Sequence, residues 1–229
     1  MTTVRAQEPG RGPRRAGRRK TQVLDAAAKV VAQRGADATR FTDVADSSGV
    51  PVSTLQYYFG SRDDLLVATF RHASSTEIQA LAAELATIAD PWDRLVRLLD
   101  RALAAYTGQA ETGRLWIESW RFAMRDDDMR TDVHRDYTSW RELVQDTVRA
   151  GAAAGRFTPR QTPERIALIA IALIDGLGIP LSVGDPAVPP AEARHTLHTT
   201  IAQLLALPTA EIAEHRTAHP TAPQPQSPQ

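Results

Sequence analysis

Residues 42–62 read TDVADSSGVPVSTLQYYFGSR, and this stretch determines how the chain is interpreted. Thr42 is a suitable N-cap for a short helix that runs to about Asp46. The sequence Gly-Val-Pro at 49–51 interrupts that helix, and residues 53–58 can form about a turn and a half of a second one. Two short helices separated by a tight turn that contains glycine are typical of a helix-turn-helix.

The second short helix combines residues that suit a DNA groove with residues that suit a core. Leu55 and Phe59 are apolar and predict its buried face. In a helix-turn-helix, the first helix crosses the phosphate backbone and the second enters the major groove. The outward positions carry small, polar or aromatic side chains, namely Val52, Ser53, Thr54, Gln56 and Tyr57. On spacing alone, a plain helical corner without DNA contacts is the competing interpretation.

The charge distribution favours DNA binding. The chain has 229 residues, of which 27 are basic and 27 acidic, so its formal net charge is zero. Residues 1–71 nevertheless carry 12 Lys/Arg against 7 Asp/Glu, and the first 20 residues contain seven basic side chains and one acid, Glu8. A basic segment ahead of the first helix can follow phosphates or enter the minor groove. Because residues 1–17 contain almost no apolar side chains, we expect a disordered basic tail there.

The rest of the chain predicts helices rather than a sheet. The chain has 37 alanines, few alternating β-branched residues and no Asn-Gly hairpin turn, which favours an all-α fold. A first helix is predicted at about 18–34, and Ser61 with Asp64 resembles a capping box for a helix after the motif. A break is predicted at 108–113, and the proline-rich residues 208–229 predict a disordered tail.

Two helices are predicted near the C-terminus. Residues 163–178 are apolar nearly all round, and residues 191–207 are amphipathic. The longest apolar stretch, residues 166–183, is interrupted by Asp175 and Pro180 and is shorter than the roughly 20 residues that span a bilayer, so we interpret it as a buried helix. A helix that is apolar on every side must be covered on every side, and a second subunit could supply that cover.

Residues 22–70 resemble the DNA-binding region of the tetracycline-repressor (TetR) family. The resemblance rests on a helix that ends at Gly35, the F-T-D-V-A-x-x-x-G-V run at 41–50, the T-L-x-x-x-F stretch at 54–59 and S-R-D-D-L-L at 61–66. The C-terminal half is similar to the betaine-regulator (BetI-like) subgroup. That similarity rests on L-W-I-E-S-W, G-A-A-A-G-R-F and I-D-G-L-G, which begin at residues 115, 151 and 174.

The chain departs from the usual family pattern at four positions. They are Pro51, Gln56, Tyr58 and Arg62, where Ser, Tyr, His and Lys are more common. Gln56 can pair with adenine through two hydrogen bonds, so we expect an operator that differs from those of relatives with Tyr. Arg62 keeps a positive charge for a phosphate beside a helix N-terminus. The predicted DNA-binding residues are Arg18, Thr42, Val52, Ser53, Thr54, Gln56, Tyr57, Tyr58 and Arg62.

The resemblance implies an all-α fold of about nine helices and a homodimer that binds a double-stranded, pseudo-palindromic operator. It implies a helix-turn-helix domain at 18–64 and a helical ligand-binding and dimerisation domain at 65–207. The dimer would form through the helices at 163–178 and 191–207. Two glycines, Gly176 and Gly178, would allow close helix approach there.

The resemblance further implies that the central helices surround a cavity for a small-molecule inducer. Aromatic walls with a few polar groups are typical of such a cavity, although aromatic residues at helical spacing are also typical of a plain core. The candidate ligand-binding residues are Tyr106, Trp116, Trp120, Tyr137 and Trp140, with Glu118, Arg121 and Asp175 as polar candidates. Because an unpaired carboxylate in an apolar helix is costly, we expect Asp175 to cap or pair across the dimer interface rather than bind ligand.

No catalytic, cofactor or metal site is predicted. The chain has no cysteine and no G-x-S-x-G, H-E-x-x-H, phosphate-loop or dinucleotide motif. His195 and His198 share a helix face, and we interpret them as a solvated pair; we interpret residues 126–128 as an acidic helix corner. Since no apolar segment follows the N-terminal charges, we expect a cytoplasmic protein without membrane association.

Two functions remain open from the sequence. The first is a dimeric repressor released from DNA by an inducer, with recognition helices that match major grooves about 34 Å apart. The second is a helical small-molecule-binding or enzymatic module that keeps the fold without DNA recognition. The motif at 42–62 and the basic tail favour the first.

Overall fold

The computed structural model describes residues 12–107 and 111–208, with side chains from residue 17 onward except at 111 and 112. Within these ranges the structure contains nine helices and no strand, which confirms the all-α prediction. The helices are α1 (Gly12–Arg34), α2 (Phe41–Ser48), α3 (Val52–Phe59), α4 (Arg62–Leu85), α5 (Pro91–Ala104), α6 (Glu111–Ala123), α7 (Asp127–Ala153), α8 (Pro163–Ser182) and α9 (Pro190–Leu204). Residues 1–11 and 209–229 of the two predicted tails lie outside the described residues.

Three helix bounds differ from the predictions. Helix α1 begins at Gly12, ahead of its predicted start and within the predicted tail. The predicted break at 108–113 is wrong at residues 111–113, because α6 begins at Glu111. A Cβ at Gly113 would clash with the backbone oxygen of Ala105, so the glycine permits a close backbone approach. Residues 108–110 are outside the described part of the chain. Helix α8 continues through Pro180 to Ser182.

The chain divides into two compact units. The first comprises Met1–Ser75 and Arg114–Asp132, and the second comprises Thr76–Gly113 and Val133–Gln229. Most of α6 therefore belongs to the unit that holds the helix-turn-helix, although it is distant in sequence. The predicted division into a DNA-binding domain at 18–64 and a ligand-binding and dimerisation domain at 65–207 stays a prediction.

The core of the first unit joins α1, α2, α3 and the start of α4. Its buried side chains are Val23, Leu24, Ala27, Val30, Val44, Val50, Leu55, Phe59 and Leu65. This cluster confirms the inward face that was predicted for Leu55 and Phe59, which fixes the opposite face of α3 as the outward one.

The core of the second unit joins α5, α8 and α9, which contact one another. The carboxylate of Asp90 caps α5 by accepting hydrogen bonds from the backbone N–H groups of Trp92, at 2.7 Å, and Asp93, at 3.1 Å. Buried residues on the three helices include Leu95, Leu98, Leu99, Ile166, Ala170, Ile174, Leu197 and Ile201.

Helix α8 has one exposed apolar face in the single chain, and the cover that a second subunit would supply stays a prediction. The residues of this α8 face follow one another at spacings of four, four, three and four: Leu168, Ala172, Gly176, Ile179 and Val183. Its three large side chains are 45%, 55% and 76% exposed. The helix is long and apolar enough to cross a membrane by length and composition, and 28% of its most apolar stretch is buried. One such helix is weak support for a membrane span, because helices of soluble proteins meet the same criterion.

Candidate nucleic-acid interface

The turn between α2 and α3 depends on one glycine. Gly49 has φ 68°, a left-handed conformation that favours glycine, and its N–H donates to the carbonyl oxygen of Ala45 at 2.9 Å.

The prediction that Thr42 is the N-cap of α2 is wrong. Arg40 holds that position, because its backbone N–H donates to Oδ2 of Asp43 at 2.9 Å, while Thr42 is exposed in the first turn.

Pro51 occupies the N-cap position of α3 with φ −56°. Its carbonyl oxygen accepts hydrogen bonds from the backbone N–H groups of Thr54, at 2.9 Å, and Leu55, at 3.1 Å. A proline is compatible with this position because its fixed φ agrees with the observed φ and because no helical hydrogen bond needs a backbone N–H there.

The predicted capping box of α4 is confirmed. Ser61 Oγ accepts a hydrogen bond from the N–H of Asp64 at 3.1 Å, and Asp64 Oδ2 accepts one from the N–H of Ser61 at 3.3 Å.

Helix α3 presents polar and aromatic side chains to solvent. Tyr57 is 86% exposed, and Ser53 and Gln56 are exposed beside it. Three other predicted contact residues are half-buried: Val52, Thr54 and Tyr58. Tyr58 packs against the core of the first unit, and its ring centroid lies 6.0 Å from that of Tyr57. The arrangement gives α3 an outward edge of hydrogen-bonding and aromatic groups on a rigid base.

Cationic side chains of α1 add positive charge to the first unit. Arg18, Arg19 and Lys20 are exposed, and the Lys20 ammonium lies 5.3 Å from the ring centroid of Phe59 in α3. Arg62 is half-buried, and its Nη1 donates to the carbonyl oxygen of Asp37 at 3.3 Å. Since internal contacts already hold Arg62, Arg18 is the more accessible of the two predicted phosphate contacts.

A polar junction, which sequence reasoning missed, joins α6 to the loop after α1. Glu118 Oε2 accepts from the backbone N–H of Ala36 at 2.9 Å and from Arg121 at 2.9 Å. Arg121 and Arg125 both donate hydrogen bonds to the carboxylate of Asp37, and the one from Arg125 is 2.7 Å long. These two guanidinium groups hold the pKa of the Asp37 carboxyl well below its usual range. Glu118 and Arg121, predicted as polar ligand candidates, therefore bind the α1–α2 loop. The only local signal was the arrangement of Glu118, Arg121 and Arg125 on one helix face.

We expect Glu118→Ala to lower the free energy of unfolding of the first unit by about 1–2 kcal/mol. The substitution removes the acceptor of the Ala36 N–H and leaves that partly buried donor without its partner. Urea denaturation followed by circular dichroism measures the change. The control is Asp46→Ala, which removes an exposed carboxylate from the same unit. Equal stabilities for the two variants would contradict a structural role for the junction.

The predicted ligand-binding aromatics fall in both units. Trp116 and Trp120 belong to the first unit, where their ring centroids lie 5.6 Å apart. Tyr106, Tyr137 and Trp140 belong to the second unit, and Trp140 is half-buried.

Two of the second unit's aromatics meet at one carboxylate. The hydroxyl of Tyr106 donates to Asp175 Oδ1 at 2.9 Å, and that of Tyr137 donates to Oδ2 at 2.8 Å. Asp175 therefore pairs with two residues of its own chain, and its expected role at the dimer interface stays a prediction.

Asp175 is held by hydroxyl groups rather than by a cation. In the part of the chain that the structure describes, no Lys, Arg or His lies within ion-pair distance of it. Burial raises the pKa of Asp175 despite the two hydroxyl donors, and burial together with this carboxylate raises the pKa of Tyr137. The site is thus a half-buried negative charge between two phenol groups.

Gly178 allows the contact between Tyr106 and Asp175. A Cβ at Gly178 would lie 2.5 Å from ring atoms of Tyr106, so a larger residue would displace the ring. Gly178 therefore packs within the chain, whereas the interface role was predicted for it. A Cβ at Gly176 meets nothing within 4 Å, which leaves that position open on the α8 face.

The structure corrects the interpretation of one histidine. Nε2 of His198 lies 2.9 Å from Oδ1 of Asp100, so His198 is not solvated, while His195 is exposed. Over residues 12–107 and 111–208, no group of three His, Asp or Glu side chains could hold a metal ion. Asp126 caps α7 by accepting from the N–H of Met129 at 2.8 Å, which agrees with the predicted acidic helix corner.

The packing of α1–α3 and the exposed edge of α3 define a helix-turn-helix DNA-binding protein. The family model described as bacterial regulatory proteins, tetR family, matches residues 23–69, and the one described as BetI-type transcriptional repressor, C-terminal, matches residues 91–206. The chain belongs to the TetR family of transcriptional regulators and has a BetI-type C-terminal region. Its function is DNA-binding transcription regulation, and the alternative of a module without DNA recognition is not favoured.

Named relatives and solved structures agree with this family. The chain is 30% identical over 194 residues to the HTH-type transcriptional regulator BetI of Brucella canis, an alignment that covers 84% of this chain and 95% of the relative. A transcriptional regulator from Saccharomonospora viridis, solved in complex with choline, is 29% identical with a TM-score of 0.72; 81% of this chain and 96% of that one are covered. A TetR-family regulator from Rhodococcus sp. is 25% identical with a TM-score of 0.70, and the alignment covers 82% of this chain and 99% of that one.

Proposed function

We propose that the protein represses transcription as a cytoplasmic homodimer and leaves its operator when a small organic molecule binds the second unit. The outward edge of α3 carries this proposal, because Ser53, Gln56 and Tyr57 are exposed while Leu55 and Phe59 anchor the helix from below. The choline complex of the Saccharomonospora viridis regulator supports a small-molecule effector. The proposal includes no catalytic activity.

The α8 face supports dimerisation. Two helices can approach closely where small residues lie at the centre of a face, and Ala172 and Gly176 lie between Leu168 and Ile179. Large exposed apolar patches on soluble proteins commonly mark interaction sites. A two-fold dimer through α8 and α9 would pair two copies of α3, which suits a pseudo-palindromic operator with half-sites about 34 Å apart.

A binding assay on operator DNA tests the proposed function. Fluorescence anisotropy with a labelled duplex from the region upstream of the gene should show sequence-selective binding that weakens as salt rises. Adding choline, the effector tried first, should lower the affinity, since an effector releases DNA by as much as it prefers the unbound state. Equal affinity for a scrambled duplex at every salt concentration would contradict the proposal.

We expect Gln56→Ala to weaken binding by about 1–3 kcal/mol at particular base pairs and to leave other operator positions unaffected. Arg18→Ala should instead weaken binding to all sequences alike and reduce the salt slope, because a phosphate contact carries no sequence information. Anisotropy against a panel of single-base operator variants separates the two patterns. Gln33→Ala is the control, since Gln33 is an exposed glutamine on α1. A uniform loss from Gln56→Ala would show that the assigned roles are reversed.

A further inference from the structure

The first part of α1 lies ahead of the core of the first unit. The helix begins at Gly12, whereas its first residue in that core is Val23. Residues 17–22 are all exposed, and a Cβ at Gly17 would meet nothing within 4 Å. We call residues 12–22 the α1 extension; it precedes residues 23–69, which the tetR family model matches. Packing within the first unit therefore does not account for this part of the helix.

Two contacts fix the base of the α1 extension beside the helix-turn-helix. Nε2 of Gln22 donates to the carbonyl oxygen of Ser48 at 3.2 Å, and Ser48 is the last residue of α2 before the turn at Gly49. The Lys20 ammonium lies 5.3 Å from the ring centroid of Phe59, the last residue of α3. The side of α1 that carries Gln22 therefore faces the turn that leads into α3.

Four arginines precede Gln22 on that side of α1. They lie eight, seven, four and three positions before it, and residues at these spacings share one face of a helix with 3.6 residues per turn. Two of them, Arg18 and Arg19, are exposed, and within the described part of the chain no carboxylate lies within ion-pair distance of either. We call the four positions the arginine stripe: Arg14, Arg15, Arg18 and Arg19.

The arginine stripe suits the phosphates of a DNA duplex. A guanidinium group binds phosphate oxygens through paired hydrogen bonds. Duplex DNA carries one negative charge per about 1.7 Å of its axis, so a row of cations matches it better than a single cation does. At a rise of about 1.5 Å per residue, residues 12–22 extend about 16 Å, which corresponds to about five base pairs. The stripe is also continuous with the turn before α3, where the duplex is expected.

We propose that the arginine stripe binds phosphates beside the base pairs that α3 contacts, and that this contact requires the helical form of the α1 extension. The inference rests on the proposed function and adds a second DNA-binding element to it. Phosphate contacts position a protein on the duplex but carry no sequence information. The stripe therefore raises the affinity for all duplexes, and α3 selects the operator among them.

Two variants of the full-length protein separate charge from helical form. Arg14→Gln combined with Arg15→Gln should lower the affinity about tenfold for operator and scrambled duplexes alike and should reduce the salt slope by about two. Ala16→Pro keeps every charge but disfavours a helical conformation at the preceding residue, and it should lower the affinity similarly. Arg160→Gln combined with Arg165→Gln is the control, because it removes two exposed arginines from the second unit and should change neither quantity.

Fluorescence anisotropy over a range of salt concentrations measures the affinities, and hydroxyl-radical footprinting of the region upstream of the gene locates the contacts. The native protein should protect about five base pairs of backbone beside each half-site in addition to the half-site itself. Both variants of the stripe should lose this additional protection and keep that of the half-sites. Their melting temperatures should equal that of the native protein, because the substitutions lie ahead of the core.

The outcomes distinguish a failure of this inference from a failure of the proposed function. If the arginine variant keeps the native affinity, salt slope and footprint, the stripe does not bind DNA while the regulator remains. If Ala16→Pro binds as the native protein does while the arginine variant is weakened, the charges act without the helix and the proposal is wrong. A loss confined to the operator would contradict a phosphate contact. If the native protein shows no selective DNA binding at all, the proposed function itself fails.

Discussion

Replacing Ile179 with glutamate is expected to convert the proposed dimer into monomers and to weaken operator binding about 100-fold or more. Ile179 is 55% exposed and lies on the α8 face next to the open position of Gly176. A glutamate there would place two like charges at the centre of a two-fold interface and would bury them without a partner. Each monomer would keep one recognition helix, so the gain from binding two linked half-sites would be lost.

Sedimentation equilibrium and operator anisotropy, measured over the same concentration range, check this expectation. Ala80→Glu introduces the same charge at an exposed position of α4 and should leave both the mass and the affinity unchanged. The thermal transition of Ile179→Glu should remain cooperative, because the substituted side chain is already half in solvent. A dimer of unchanged stability in Ile179→Glu would place the interface elsewhere.

Replacing Leu55 with alanine is expected to lower the free energy of unfolding by about 2–5 kcal/mol and to abolish operator binding at physiological temperature. Leu55 is 0% exposed and packs among Val44, Val50 and Phe59, so the substitution leaves a cavity beneath α3. Helix α3 has only eight residues, and a helix of that length depends on tertiary packing for its stability. Losing its anchor should therefore disorder the recognition surface.

Urea denaturation measures the stability of Leu55→Ala, and Met124→Ala provides its control. Both substitutions remove three heavy atoms, but Met124 is 83% exposed in the same unit and should change the stability by less than about 0.5 kcal/mol. A similar loss in both variants would mean that burial of α3 does not account for the effect.

The helix-turn-helix was predictable because its signals are local. Gly49 marks the turn, Leu55 and Phe59 lie four apart on one helix face, and Ser61 with Asp64 marks the start of α4. The sequence predicts Thr42 as the N-cap of α2, because threonine is a good capping residue. The structure gives that position to Arg40, since the carboxylate of Asp43 accepts a hydrogen bond from its backbone.

The candidate ligand site was predictable only as a list of residue types. The sequence indicates Tyr106 and Tyr137 as ligand candidates, but it does not show that both donate hydrogen bonds to Asp175 of the same chain. The sequence also predicts Glu118 as a ligand candidate, whereas its carboxylate accepts a hydrogen bond from a backbone N–H in the α1–α2 loop. Residue type and helical period indicate that a side chain faces inward, but they do not indicate which distant group it meets.

The amino-acid sequence by itself determined the helices, the turn at Gly49 and the two faces of α3, because these features depend on contacts within about four residues. Only the tertiary structure decided that Tyr106 and Tyr137 meet Asp175, that Glu118 binds Ala36, and that one face of α8 remains exposed. These contacts join residues 38 to 82 positions apart. Their pairing depends on how whole helices pack, and the local pattern of any single helix does not contain that information.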